Sequence, residues 1–523
     1  MTKKQNFMHG AMILVVAGLV TRGLGTIYRI ALSRVVGAEA IGLYQMAFPS
    51  LILLITIVTA GLPIAVSKMV AEAEAKNDVR QTQKILRISL TLVIIISIAI
   101  SAIFYITIPL ISQYILTDER VYLTLVMIVP IIPIISISSV LRGYFQGKHN
   151  MIPSATSTII ETIFRMIFGI LLSVSLLSKG VEYASAGAMI GMVIGEIAGN
   201  ITLLVHYFMQ KREKQHQIAK RLFPKQNEQL YTKMFRIAIP VTASQIIGSL
   251  AYFIEPSVVS HSLALAGVPT SIATAQYGQL TGMALLIINF PTVITYSLSV
   301  SLIPAVSEAA AKKNHFLIYK RLHQSLKTAY MIGLPASIFM FIMADPISQI
   351  LFNSEQVGHF IRILAPFSIF LYLQRPLAST LQGLDYAKES MKNTIIGAFA
   401  KTIAILVLAS RASLGIDGVA IAINLGMTLV TVLHFRSVIH IIGYTIQIRP
   451  LIAISLSAIS LGVASYAIFV HFLENVEIIV RLFISLFFGS IIYLYLLLLF
   501  KVIRKKDLVS IPWLGAIFRY ILP

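Results

Sequence analysis

The chain has 523 residues, of which 57% are hydrophobic and only 12% charged, and its mean hydropathy is +0.85. Soluble domains carry about 25% charge, so most of this chain is excluded from water, and the lack of any cysteine excludes disulfides and thiolate metal sites. A net charge of +21 would suit nucleic acid, but the placement of the charges points to a membrane instead.

A membrane-crossing helix needs about 20 apolar residues, because it rises about 1.5 Å per residue through hydrocarbon about 30 Å thick. The sequence predicts fourteen such spans, at 9–34, 42–68, 87–111, 121–141, 151–177, 183–208, 236–264, 276–304, 327–349, 357–381, 391–411, 415–435, 450–472 and 479–500. The first follows Lys3 and Lys4 and is interrupted by Arg22 and Arg29. It shows no small-residue cleavage site, so it reads as a retained helix and not as a signal peptide.

With the N-terminus in the cytoplasm, 31 of the 42 Lys and Arg fall in cytoplasmic termini, loops and span edges. Six fall outside: Arg34, Arg120, Lys179, Arg362, Arg411 and Arg481. Five fall within the membrane: Arg22, Arg29, Arg165, Arg375 and Lys401. This asymmetry places both termini inside and requires an even number of spans. Lys211 to Arg236 carries eight basic residues, which read as topology setting and attraction to anionic head groups.

Strings recur at an offset of 240 in the numbering. Ala65-Val66-Ser67 after Pro63 returns as Ala305-Val306-Ser307 after Pro304, and Leu141-Arg142-Gly143 returns as Leu381-Gln382-Gly383. Each pair occupies the same place in the span pattern. A repeat of six helices keeps its orientation in both copies, as in transporters whose halves rock around a central cavity. The expected organisation is an N-lobe over 1–210, a basic cytoplasmic linker over 211–235, a C-lobe over 236–440, and two further helices with a basic tail over 441–523.

A charge at mid-bilayer costs about 2.5–3.5 kcal/mol on insertion scales, so it normally faces a cavity or a partner. Arg22 and Arg29 are seven residues apart, on one face of the first span. Glu161 and Arg165 are four apart in the fifth span. They either satisfy one another or serve the cavity. Glu196 is central in the sixth span and Lys401 in the eleventh, while Arg375 lies in the inner half of the tenth. Glu255 either caps a helix broken at Pro256 or serves the cavity as an acid. Gln245, Gln279, Asn289 and Asn424 add neutral polar groups. Buried cations outnumber buried acids, and the planar guanidinium, which keeps its proton, suits phosphate. The expected substrate is therefore anionic.

No G-x-x-x-x-G-K-[ST] or H-E-x-x-H string is present, and the external acids Asp118, Glu119, Glu182, Glu355 and Glu474 are scattered. Enzyme chemistry is not expected, and neither a cofactor nor a metal. Two rival readings stand: a drug/cation antiporter of the same fold, which would need acids to dominate its cavity, and a non-transporting assembly factor for cell-wall synthesis.

Several strings carry a family resemblance: Thr21-Arg22-Gly23-Leu24-Gly25 with Arg29 and Arg34, Gly61 to Lys68, Ser138 to Lys148, and Gln276 to Gly282. By these the chain resembles the multidrug/oligosaccharidyl-lipid/polysaccharide (MOP) exporter superfamily. Within it, the chain looks like the stage V sporulation protein B group, relatives of the lipid II flippase MurJ. The resemblance implies two six-helix lobes around a cavity, plus two extra helices forming a groove for a polyprenyl tail. It implies flipping of an undecaprenyl-pyrophosphate-linked saccharide by alternating access, serving peptidoglycan of the spore cortex or cell wall.

It also implies cavity arginines in the first span. Arg22 matches one directly, and Arg29 falls one residue from the other. The flippase's charges in the second span and its arginine in the eighth have no counterpart here; Gln279 and Leu286 lie near the latter position. Arg22, Arg29, Arg165, Arg375 and Lys401 are thus expected to hold an anionic head group, with Gln245, Gln279 and Asn289 as polar neighbours. Glu161, Glu196 and Glu255 are expected to serve coupling to membrane potential, sodium or protons. The protein is expected to act as a monomer in the bacterial cell membrane, with the bilayer and the lipid-linked saccharide as partners and no nucleic acid.

Overall fold

The computed structural model describes residues 7–59, 61–214, 228–472 and 476–503. Part of the expected 211–235 linker, the tail beyond 503 and Glu474 lie outside the described residues. The described part is helical. Twelve helical runs in it are long and apolar enough to cross a membrane.

Fourteen were expected, and the count differs at identifiable places. Met12–Ala75 forms one run of 64 residues that takes in both of the first two expected spans. Within it α1 (Phe7–Thr59) breaks at Gly37, whose φ of 81° lies in the left-handed region where a side chain would be strained. The expected span at 236–264 falls in α8 (Glu228–Leu265), where many side chains lie outside the described set. The expected 276–304 span is interrupted at Phe290-Pro291.

The chain divides into two compact units, residues 1–282 with 409–416, and residues 283–408 with 417–523. The first holds α1 and α8 together with α2 (Leu62–Ala75), α3 (Val79–Leu110), α4 (Val121–Val126), α5 (Ile131–Gly147), α6 (Ile152–Leu177), α7 (Val181–Lys214) and α9 (Thr270–Tyr277). Small residues bring its helices together. A Cβ on Gly143 of α5 would lie 2.6 Å from the Pro63 carbonyl oxygen of α2, and one on Gly61 would lie 2.1 Å from the Ala238 carbonyl oxygen of α8. Asp78 caps α3 by accepting from the Gln81 amide at 2.9 Å.

The second unit holds α10 (Leu285–Asn289), α11 (Thr292–Ala311), α12 (His315–Ile342), α13 (Ala344–Phe352), α14 (Glu355–Leu364), α15 (Ser368–Gly383), α16 (Ala387–Ala409), α17 (Gly415–Ile442), α18 (Ile448–Ala467) and α19 (Ile478–Leu499). Its core gathers Leu322, Leu326, Leu377, Leu381, Val438 and Tyr444. Asn314 caps α12 by accepting from the Leu317 amide at 3.0 Å. A Cβ on Gly383 would lie 2.9 Å from the Ile303 carbonyl oxygen. Gly383 and Ile303 are the counterparts of Gly143 and Pro63 at the offset of the recurring strings.

Local geometry recurs in the same way. Asn77, Thr117 and His149 adopt φ of 53–55°, and Lys313, Asn353 and Asp385, all displaced from them by one shared offset, adopt φ of 51–65°. These are left-handed residues at which helices stop.

Candidate functional site

Four glycines of α7, Gly187, Gly191, Gly195 and Gly199, recur every fourth residue and so share one face. A Cβ on Gly191 would stand 2.3 Å from the Gly169 Cα, and one on Gly195 would stand 2.7 Å from the Glu161 carbonyl oxygen. Bare backbone therefore lets α7 lie directly against α6, as small-residue stripes do between membrane helices. This close crossing brings together Glu161 of α6 and Glu196 of α7, which are 5% and 6% exposed.

Two buried carboxylates need compensation. Arg142, near the end of α5, reaches Glu161 with Nη2 to Oε2 at 2.7 Å, and Arg165, one turn along α6, approaches Oε1 with Nη1 at 3.4 Å. Glu161 is thus held between two guanidiniums, tightly by Arg142 and loosely by Arg165. Glu196 is held less well. The Ser138 hydroxyl donates to its Oε2 at 3.3 Å, its carboxyl lies within hydrogen-bond reach of that of Glu161, and Arg142 and Arg165 act on it from farther away.

The cluster extends to α1. Arg165 and Arg29 both lie close enough to the Tyr28 and Tyr44 hydroxyls to act on them electrostatically. The Tyr28 hydroxyl fills the space left by Gly169, where a Cβ would lie 2.4 Å from it. It is buried with no hydrogen-bond partner among the described residues. The first unit therefore carries a continuous polar cluster of Arg29, Tyr28, Tyr44, Arg165, Glu161, Arg142, Glu196 and Ser138. Glu255, which acts on Tyr252 together with Arg29, joins it by the same measure, so three guanidiniums (Arg29, Arg142 and Arg165) face three acids (Glu161, Glu196 and Glu255).

Arg29, Arg165, Glu161 and Glu196 thus lie near one another, but the expected excess of buried cations is not found: Glu161, Glu196 and Glu255 are buried, whereas Arg29 and Arg375 are exposed and Arg22, Arg165 and Lys401 half-buried. Arg22 is half-buried on α1, seven residues before Arg29. Glu255 is 8% exposed with Tyr252 and Tyr277 as neighbours, and Arg29 also acts on Tyr252. Helix α8 runs unbroken through Pro256, so Glu255 does not cap a broken helix. Gln245 is exposed. The Gln279 Oε1 is buried without a hydrogen-bond partner among the described residues.

The remaining expected residues belong to the second unit. The Arg375 guanidinium lies 5.2 Å from the centroid of the Tyr296 ring. Lys401 lays its stem over Gly426, where a Cβ would come within 3.1 Å of the Lys401 Cβ. Asn289 is exposed, and its amide donates to the Leu285 carbonyl of its own helix at 2.7 Å. Asn424 donates to the Ile363 carbonyl at 2.8 Å.

A second polar group of the first unit lies at the end that the charge count places outside. Arg120 pairs with Glu39 at 2.5 Å and with Asp118 at 2.9 Å, and Asp118 accepts from the Thr274 hydroxyl at 2.7 Å. The hydrogen bond to Asp118, seconded by the one to Glu39, raises the Arg120 pKa above its ordinary value against the opposing effect of burial. Gly42 and Gly278 give the room for this contact: a Cβ on Gly42 would stand 2.0 Å from the Thr274 carbonyl oxygen.

Sequence reasoning overlooked Arg142, Ser138, Tyr28 and Tyr44. Arg142 counts by position as a cytoplasmic-edge residue, and its partner Glu161 lies on another helix, at no spacing that a single helix would align. The four-residue glycine period of α7 was the available signal that α6 and α7 touch.

Residues 7–268 match the family described as polysaccharide biosynthesis protein, and residues 279–407 match MatE. The chain is 40% identical over 517 residues to stage V sporulation protein B of Bacillus subtilis (strain 168), covering 98% of this chain and 99% of that one. It is 24% identical over 481 residues to the lipid II flippase MurJ of the same organism, covering 87% of each. Among solved structures, lipid II flippase MurJ in an inward closed conformation superposes with a TM-score of 0.70 at 16% identity, covering 95% of this chain and all of that one. An inward-facing multidrug resistance MATE family transporter superposes with a TM-score of 0.65 at 16% identity, covering 81% and 94%. At such identities the structural likeness speaks for the fold, while the sequence likeness speaks for the family. The chain belongs to the MOP exporter superfamily, as a stage V sporulation protein B-like member related to the lipid II flippase MurJ.

Proposed function

We propose that the protein flips an undecaprenyl-pyrophosphate-linked saccharide, a lipid II-like peptidoglycan precursor, across the bacterial cell membrane by alternating access. It acts as a monomer with both termini in the cytoplasm, without a cofactor and without making or breaking a covalent bond. The precursor serves the spore cortex or cell wall. The recurrence of capping, turn and glycine geometry at offsets of 236 and 240 supports two lobes built from one repeat.

One observation carries the head-group assignment: the guanidiniums of Arg29 and Arg165, which keep their charge, both lie within electrostatic range of the Tyr28 and Tyr44 hydroxyls. Arg165 is the exchangeable member. Its 3.4 Å contact with Glu161 is looser than the 2.7 Å contact of Arg142, so an arriving pyrophosphate draws Arg165 away while Arg142 keeps Glu161 compensated. Arg22, Arg375 and Lys401 are assigned the same attraction for anions, with Gln245, Gln279 and Asn289 as polar contacts. Glu196, the less well partnered acid, is assigned the coupling of transport to protons, sodium or membrane potential, with Glu161 and Glu255 as its associates. The five cations expected within the spans, against three acids, disfavour the drug/cation antiporter reading.

The test is ligand-dependent thermal stabilisation of the purified protein by farnesyl pyrophosphate, with farnesol as control. The pyrophosphate is expected to stabilise, farnesol is not, and Arg29→Ala with Arg165→Ala abolishes the difference. Equal stabilisation of wild type and double variant overturns the assignment.

A further inference from the structure

Two grooves of the second unit share Val432. The inner one encloses about 940 Å³ among α15, α16 and α17, and the other about 710 Å³ along α17 and the residues leading into α15. Their walls differ in a way that suits an amphiphile. The second groove is faced by Ile363, Phe367, Ile421, Leu425 and Leu429. Of its two polar side chains, Thr428 donates to the Asn424 carbonyl and Asn424 donates its amide to the Ile363 carbonyl, each at 2.8 Å, while the Asn424 Oδ1 is buried without a partner among the described residues.

The inner groove begins apolar, with Phe370, Ile396 and Val432, and ends in Lys392, Arg436 and His440, with Glu389 as the one carboxylate in its lining. Lys392 stands near the start of α16, and Arg436 and His440 stand near the end of α17, so the cations gather at one end of the groove. In the orientation set by the charge count that end is cytoplasmic. Asn393 fixes the rim by donating to the Ser437 hydroxyl at 2.9 Å, which ties α16 to α17 between the two cations.

The dimensions match one leaflet. Arg436 and Leu425 are eleven residues apart, about 16 Å of helix, close to half of a hydrocarbon layer about 30 Å thick. Arg436 and His440 lie four and eight residues after Val432, on the same face of α17, so a molecule seated there meets apolar surface above and positive charge below.

We propose that this groove binds an anionic glycerophospholipid of the inner leaflet, its phosphate against Lys392 and Arg436 and one acyl chain along Ile396, Val432 and Leu425. Basic pockets between helices on the cytoplasmic side are suited to anionic lipid heads, which concentrate at that surface. The site is separate from the cluster around Glu161, and its occupant is retained, not transported.

The experiment is native mass spectrometry of the full chain released from vesicles of phosphatidylcholine containing a tenth part of phosphatidylglycerol. The protein is expected to carry one phosphatidylglycerol, enriched about tenfold over its share of the bilayer. Lys392→Gln with Arg436→Gln should reduce retention to the bulk ratio while the melting temperature in pure phosphatidylcholine is unchanged. Should that variant fail to fold, Val432→Trp fills the groove without touching the charges and should expel the lipid equally. Unchanged retention in either variant overturns the proposal, as does loss of phosphatidylglycerol to an equal mole fraction of undecaprenyl phosphate. Retention is read without transport, so failure here leaves the flippase reading untouched, and failure of that reading leaves this site.

Discussion

Glu161 shows how charge is kept inside this protein. Its two oxygens meet two guanidiniums from two helices, and only the partner one turn away was visible in the sequence. A spacing of four residues is readable because helix geometry fixes it. The tighter contact, to Arg142, depends on how α5 leans on α6, which no spacing reveals. Removing one partner of a buried pair exposes the cost of the remaining charge. Arg142→Ala should therefore destabilise the protein by about 2–4 kcal/mol, read as a fall in melting temperature in detergent. Adding Glu161→Gln should recover most of that loss, because the uncompensated carboxylate is then gone. If the double variant is no more stable than the single one, the pair is not what holds these helices. Glu196→Gln tests a different role: it should flatten the pH dependence of transport without lowering the melting temperature. An unaltered pH profile removes Glu196 from coupling.

At the level of helices, most span positions were legible, because apolar run length is set by the thickness of the bilayer. The breaks were less so. Pro256 does not interrupt α8, whereas Gly37 turns the chain inside a run that otherwise reads as helix. Proline is tolerated in membrane helices because neighbouring groups satisfy the freed carbonyl, and a left-handed glycine leaves no mark in hydropathy. The contact between α6 and α7 was written in the glycine period of α7. Gly191→Leu must push α7 away from Gly169, where even a Cβ would come within 2.3 Å. The expected cost is about 3 kcal/mol or more, with a loss of folded yield on size-exclusion chromatography. Leucine at Gly248, where nothing lies within 4 Å of a Cβ, should be tolerated. Equal yields from the two variants would mean that close α6–α7 packing is not needed.

For the whole molecule, the sequence already implied a polytopic transporter, through the asymmetry of its charges and the strings that recur near an offset of 240. The expectation of an anionic substrate came from the excess of cations over acids within the expected spans, but which of those cations lie near one another was not legible. Arg29 and Arg165 stand far apart in the chain, on α1 and α6, yet both act electrostatically on Tyr28 and Tyr44. The absence of cysteine makes the orientation directly testable. A single cysteine at Ser178, in the turn between α6 and α7, should react with a membrane-impermeant maleimide from outside intact cells. One at Asn150, between α5 and α6, should react only after the cells are opened. The reverse pattern would invert the topology. The central claim is lipid-linked precursor transport, and its most direct test is movement of labelled undecaprenyl-pyrophosphate-linked saccharide across vesicles holding the purified protein. Wild-type protein should carry the label to the opposite leaflet, and Arg29→Ala with Arg165→Ala, folded and inserted equally well, should not. Equal transport by the two, or none by the wild type, would contradict the account.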